Sequence, residues 1–522
     1  TYGRSSGYTL KQGTDVLQGA SQGYEANGRL AGAGIVHGGE EQTFAYGYLP
    51  GSSLPSSLAM PNGIVRELAY EEHRDLAVAI SCRLGETALV SRSQSYDALG
   101  RPVTRTQQRG TEATRTDSFS YNGRNELTGA TLGTAPYGYS YDNIGNRKTA
   151  QEPAQELAYA ANELNQYTRI EENAEAPFAP QYDASGNQTL IRTSTGIWTV
   201  AYNAANRAVS FTSRDGATVV ECGYDYQGRR YMKKVTQNGT VTSHERCLYR
   251  GYLQLAALDM LDNRNVLRTL LWDPLEPVAT RPLALVQAAS LYCYGWDFNK
   301  NVTEVFDARG TIAATYDYSP YGTVGSTGNL VQPVQWSSEM NDEELALVYY
   351  NYRYYNPADG RWINRDPIAE EGGWNLYAFL GNSTQDKVDA LGLVFVMPIH
   401  TATGVPGYDR PSNIPGWGTA LVNFLRWLIG TVPPYSIYPE GSEESEAIKN
   451  SPIGRDIMIF FKRKNKGARF CDEWENATNI SISYPGFKSV MSFTKFKRDF
   501  ERFFSSLPNG IPTVSYTHLR AH

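Results

Sequence analysis

The chain has 522 residues with 48 Gly, 36 Tyr and only 20% charged residues. At ~100–200 residues per domain that is roughly three domains, unless the chain is a repeat array. The mix favours strands and tight turns over helix bundles, and 41% hydrophobic content excludes a disordered chain. The net charge of −6 is uneven: residues 1–393 carry 33 Lys and Arg against 43 Asp and Glu, and residues 394–522 carry 15 against 11. An acidic body joined to a mildly basic end implies two parts with different roles. No stretch reaches the ~18 apolar residues of a membrane helix; the richest, Trp417 to Gly430, is broken by Asn423 and Arg426. Cys82, Cys222, Cys247, Cys293 and Cys471 form no CxxC pair. They read as ordinary buried or idle thiols, and no metal or organic cofactor is expected.

The chain opens at Thr1 in a strand-and-turn pattern, so an upstream delivery domain is expected to precede it. From there a short unit recurs. Tyr24, Tyr96, Tyr121, Tyr141, Tyr182, Tyr202 and Tyr224 each precede an acidic or amide residue and then Gly or Asn, usually with Arg or Asn following. The clearest copies are Tyr96-Asp97-Ala98-Leu99-Gly100-Arg101, Tyr141-Asp142-Asn143-Ile144-Gly145, Tyr182-Asp183-Ala184-Ser185-Gly186 and Tyr224-Asp225-Tyr226-Gln227-Gly228. Phe306-Asp307-Ala308-Arg309-Gly310 is a looser copy, and Tyr159-Ala160-Ala161-Asn162 a degenerate one. The unit is about twenty residues long. Residues before each Tyr alternate as in a half-buried strand. The Asp or Asn caps its own turn, and Gly accepts a positive φ. One unit is a hairpin too small to bury its aromatic face alone, so the hairpins are expected to join in a long antiparallel sheet.

These copies resemble the RHS/YD-repeat family over residues ~20–393, which implies a hollow β-sheet shell. Residues 341–393 are similar to the RHS repeat-associated core segment. The similarity rests on Tyr349-Tyr350-Asn351-Tyr352-Arg353-Tyr354-Tyr355-Asn356-Pro357, Gly360-Arg361-Trp362, Arg365-Asp366-Pro367-Ile368 and Asp389-Ala390-Leu391-Gly392-Leu393. It implies that the chain cuts itself between Leu393 and Val394 as an autoproteolytic aspartic-type peptidase. The residue chemistry allows this: of two adjoining carboxylates, Asp366 and Asp389, one activates water while the other protonates or holds the carbonyl oxygen. Arg361 is the candidate to keep one carboxylate ionised or to bind the oxyanion. Both Asp residues also read as plain turn caps. Two positions depart from the family pattern, Ala369 for Gly and Ala390 for Pro, and the second is expected to loosen the loop presenting Leu393.

Beyond Leu393 the repeat stops and prolines punctuate the entry. Three helices are expected: one through Leu421, Phe424, Leu425 and Leu428, one from Ser451-Pro452 to Lys466, and one at 492–504 with a Phe stripe. The last is basic, yet reads better as a core stripe with solvated Lys and Arg, so nucleic-acid binding is not supported. Val514–His522 resembles translated sequencing adapter and is set aside.

The expected fold is mainly β: repeats over 1–340, a core segment over 341–393, and a small α or α+β cargo domain over 394–513. The resemblance implies a bacterial secreted or cell-surface toxin shell that encloses its own C-terminal domain, with a cognate immunity protein as partner. The alternative is a non-enzymatic surface or adhesion scaffold whose core stays uncut.

Overall fold

The computed structural model describes residues 4–173, 176–276 and 280–393, and the backbone of five later strands. The chain divides into two compact units, Thr1–Pro411 and Ser412–His522.

The first unit is a meander. A 15-stranded sheet runs from Gly7–Gln12 to Tyr167–Glu172, and a 14-stranded sheet from Gln181–Tyr182 to Val324–Gly328. Within each sheet, every strand is hydrogen-bonded to its sequence neighbours. Local chemistry explains the regularity. In the Tyr96 copy the Asp97 amide donates to the Arg101 carbonyl at 3.0 Å, and Asp97 Oδ1 accepts from the Leu99 and Arg101 amides at 2.9 and 3.0 Å. Gly100 stands at φ 80°, in the left-handed region that costs other residues ~1–2 kcal/mol. The turns at Asp142, Asp183 and Asp225 repeat these bonds.

The tyrosines and arginines join one hairpin to the next. The Tyr96 hydroxyl donates to the Ala77 carbonyl at 2.6 Å and that of Tyr224 to Ala208 at 2.8 Å, each reaching back to the preceding hairpin. The Arg101 guanidinium reaches forward, lying 4.8 Å from the Tyr121 ring centre. A register shift falls immediately before Tyr96, Tyr141, Tyr202 and Tyr224. A bulge at every repeat adds twist, which curls the sheet instead of letting it lie flat.

The two sheets share one core. Ile35, Phe44 and Val90 from the first cluster with Phe211 and Leu270 from the second, and with Leu347, Tyr349 and Ile363 from the core segment. A buried ion network also crosses between them. Arg92 and Arg109 both bond Glu304, and Arg109 and Arg115 both bond Asp317. The core segment folds into a four-stranded sheet, Met340–Asp342, Leu347–Tyr350, Arg353–Asn356 and Arg361–Trp362. Its aromatic face packs Tyr350, Tyr355, Trp362 and Phe379 together, with Tyr355 stacked on Phe379 at 3.7 Å. Arg230 and Lys233 of the wall strand Arg230–Gln237 anchor it through Asp342.

In the second unit, strands Tyr435–Pro439 and Ile457–Phe461 pair in parallel, and Asn479–Tyr484 and Phe487–Ser492 continue antiparallel. This corrects the helix expected from Ser451 to Lys466. Its middle, Ile457-Met458-Ile459-Phe460-Phe461, is a short continuous apolar run that suits a buried strand, and the capping signals at its ends outweighed that run in the sequence reading. The expected helices around 421–428 and 492–504, and the segment 514–522, lie outside the described residues apart from Ser492, which closes a strand.

Candidate active site

Asp366 and Asp389 meet on one guanidinium. Arg353 Nη1 lies 2.9 Å from Asp366 Oδ2, and Arg353 Nη2 lies 3.7 Å from Asp389 Oδ2. The same arginine donates from Nε to the Gly392 carbonyl at 2.6 Å and from Nη2 to the Leu393 carbonyl at 3.4 Å. Asp389 Oδ1 gathers the amides of Leu391, Gly392 and Leu393 at 3.0, 2.7 and 3.2 Å. This aspartate therefore both caps its turn and faces a charge, so the two sequence readings of it are compatible.

The turn that ends at Leu393 is fixed by strand pairing and by a backbone bond. Strand Val388–Asp389 pairs antiparallel with Phe395–Val396, so the connection between them carries Leu393–Val394. The Tyr352 amide donates to the Leu391 carbonyl at 2.9 Å. The loosening expected from Ala390 is thus offset by bonds to the neighbouring residues. A Cβ on Gly372 would sit 2.2 Å from Asp366 Oδ2 and 3.1 Å from the Leu393 carbonyl oxygen, so both oxygens face the small space over Gly372. Asp366 also lines a groove of about 670 Å³ together with Arg207, Tyr224, Tyr252 and Tyr352.

Electrostatics follow from burial. Desolvation raises the Asp366 carboxyl to about 6 against the pull of Arg353, with Asp389 adding a smaller upward push. Asp389 is also raised, by burial first, against Arg353 and its three backbone amides.

Arg361, expected beside the carboxylates, stands elsewhere. Its Nη2 donates to the Asn165 carbonyl at 2.7 Å, and its guanidinium lies 3.9 Å from the Tyr167 ring centre and 5.0 Å from that of Tyr377. The reason is strand alternation. Trp362 takes the face toward Arg353, 4.1 Å from its ring centre, which sends the preceding residue to the opposite face. Arg353 was missed because it sits inside an aromatic run. The available signal was a lone cation alternating into buried strand positions, which requires a carboxylate partner.

Ala369 occupies φ 53°, the left-handed conformation for which the family pattern carries glycine. Ala369→Gly is expected to raise stability by about 1 kcal/mol, read as a later urea midpoint; an earlier midpoint contradicts the assigned backbone.

A family model described as Teneurin YD-shell matches residues 70–382. The tRNA nuclease WapA of Bacillus subtilis strain 168 is 25% identical over 410 residues, 73% of this chain and 17% of WapA. Toxin protein Tse5 of Pseudomonas aeruginosa strain PAO1 is 27% identical over 373 residues, 59% of this chain and 27% of Tse5. The chain therefore spans less than a third of either relative. In fold it is similar to the crystal structure of TcdB2-TccC3-Cdc42, with a TM-score of 0.61 and 19% identity over 72% of this chain and 20% of that one. The family match covers more than half of the chain, and the hairpin meander it requires is present: the chain belongs to the Teneurin YD-shell family of RHS/YD-repeat proteins.

Proposed function

We propose that this chain is the closing part of a bacterial toxin shell, which encloses the residues after Leu393 as an effector cargo and releases them by hydrolysing the Leu393–Val394 bond. The observation that carries the reading is Arg353, which touches both carboxylates and the Leu393 carbonyl at once. The toxin names of WapA and Tse5 support the cargo role. On the same reading the protein acts outside the cell that makes it, and the producing cell holds an immunity protein against the cargo.

The residues divide the chemistry as follows. Asp366, beside the groove, takes a proton from a water molecule whose oxygen adds to the Leu393 carbonyl carbon. Arg353 receives the developing oxyanion from Nη2. Collapse breaks the C–N bond, the proton on Asp366 passes to the departing Val394 nitrogen, and Leu393 ends as a carboxylate. Asp389 holds the turn by its amides and keeps Arg353 in place.

The test follows the new Val394 terminus by intact mass from pH 4 to 8. Asp366 must be ionised to accept the proton, and burial raises its carboxyl to about 6 against the pull of Arg353. The rate is therefore expected to climb with pH through about 6 and then level off. A rate that falls over that interval removes Asp366 from the role of base.

A further inference from the structure

One turn of the wall departs from the repeat in a way that the repeat itself does not explain. Trp296-Asp297-Phe298-Asn299-Lys300-Asn301 keeps the hydrogen bonds of the other turns: the Asp297 amide donates to the Asn301 carbonyl at 3.0 Å, and Asp297 Oδ1 accepts from the Asn299 and Asn301 amides at 2.9 Å each. Where the other copies place glycine or asparagine, it has Lys300 at φ 55°, 1% exposed. A left-handed backbone and a buried ammonium both cost stability, and strain of this kind persists where the surroundings hold it in place.

Those surroundings tie the turn to the core segment and, through Asn299, to the backbone that precedes the scissile bond. Asn299 Nδ2 donates to the Thr384 carbonyl at 2.7 Å and to the Lys387 carbonyl at 3.3 Å, gripping the backbone immediately before strand Val388–Asp389. Lys300 Nζ donates to the Thr280 carbonyl at 3.0 Å and to its hydroxyl at 3.1 Å, and that hydroxyl donates to Glu339. The Ser337 amide donates to Asn301 Oδ1 at 2.7 Å, locking the turn onto the start of the core segment.

We propose that the Asp297–Asn301 turn is a positioning device for self-processing: Asn299 sets the backbone that delivers Asp389, and Lys300 and Asn301 fasten the turn to Thr280 and to the start of the core segment. This rests on the self-processing reading above. Lys300, Glu339 and Asp389 are all buried. Burial raises Glu339 to about 8, opposed by Lys300 and reinforced by Asp389. Burial lowers Lys300, opposed by Glu339, Glu276 and Asp389 and reinforced by Arg281. Asp389 also faces Arg353, the three loop amides and Tyr350.

The experiment compares the full chain with Lys300→Met and Asn299→Ala, recording melting and the rate of Val394-terminus formation from pH 4 to 8. Lys300→Met keeps the volume and removes the charge. It is expected to melt no lower than the parent and to slow cleavage several-fold, leaving the acid limb of the rate profile, which Asp366 sets, in place. Asn299→Ala is expected to slow cleavage several-fold across the range without moving that limb. Folded variants that cut like the parent at every pH overturn this inference alone, and so does an acid limb that moves in either variant. A parent that stays whole overturns the self-processing reading, and this inference with it.

Discussion

A chain carrying Arg353→Met is expected to lose self-processing by roughly a hundred- to a thousandfold, the order seen when one donor to a developing oxyanion is removed, while Arg361→Met leaves the rate within a few-fold. The contrast follows from where the two arginines sit. Arg353 bridges Asp366 and Asp389 and bonds the Gly392 and Leu393 carbonyls, so its loss leaves two buried carboxyls without their cation and the scissile carbonyl without its donor. Arg361 is engaged with Asn165, Tyr167 and Tyr377, and its loss is felt in packing. Single-turnover rates of Val394-terminus formation in both variants, with melting curves to establish folding, make the comparison. Equal losses in the two would remove Arg353 from its special position.

The second large effect concerns the wall. Glu304 is fully buried, and Arg92 and Arg109 bond it across the two large sheets. Burial acts to raise its carboxyl, but the two arginines outweigh burial and hold it below the ordinary value. Removing one member of such a network strands the rest: Glu304→Ala leaves two guanidinium groups without their shared carboxylate, and a loss of about 3–5 kcal/mol is expected. A depressed carboxyl contributes stability above its unfolded value and loses it as pH falls through the folded one. The gap between parent and variant in urea midpoint is therefore expected to narrow on acidification from pH 5 toward 2. A gap that widens in acid contradicts the assigned charge state.

The hairpins could be read from the residues because their chemistry is local. In Tyr96–Arg101 the cap, the left-handed glycine and the closing arginine lie within six positions, and the structure keeps each of them. The stitching of hairpin to hairpin was not legible, since Tyr96 finds Ala77 and Arg101 finds Tyr121 only once the sheet exists. The turn at Asp297 was passed over because Trp296 stands for Tyr and Lys300 for Gly, which hides the pattern while preserving its bonds. Asp366 and Asp389 were named from the family pattern, and the structure brings both onto one guanidinium. The arginine between them was misassigned because only strand alternation decides which face Arg361 takes. The run Ile457–Phe461 shows the opposite failure, in which end signals for a helix were weighed above a strand-forming middle.

Self-processing means that the Leu393–Val394 bond is cut by the chain's own carboxylates. Intact mass and N-terminal sequencing of the purified chain, ended before Val514 and set beside an Asp389→Asn version, test it most directly. Two pieces are expected in the parent, the second beginning at Val394, and one whole chain in the variant. A folded parent that remains a single chain contradicts self-processing and leaves the uncut surface scaffold as the reading to pursue.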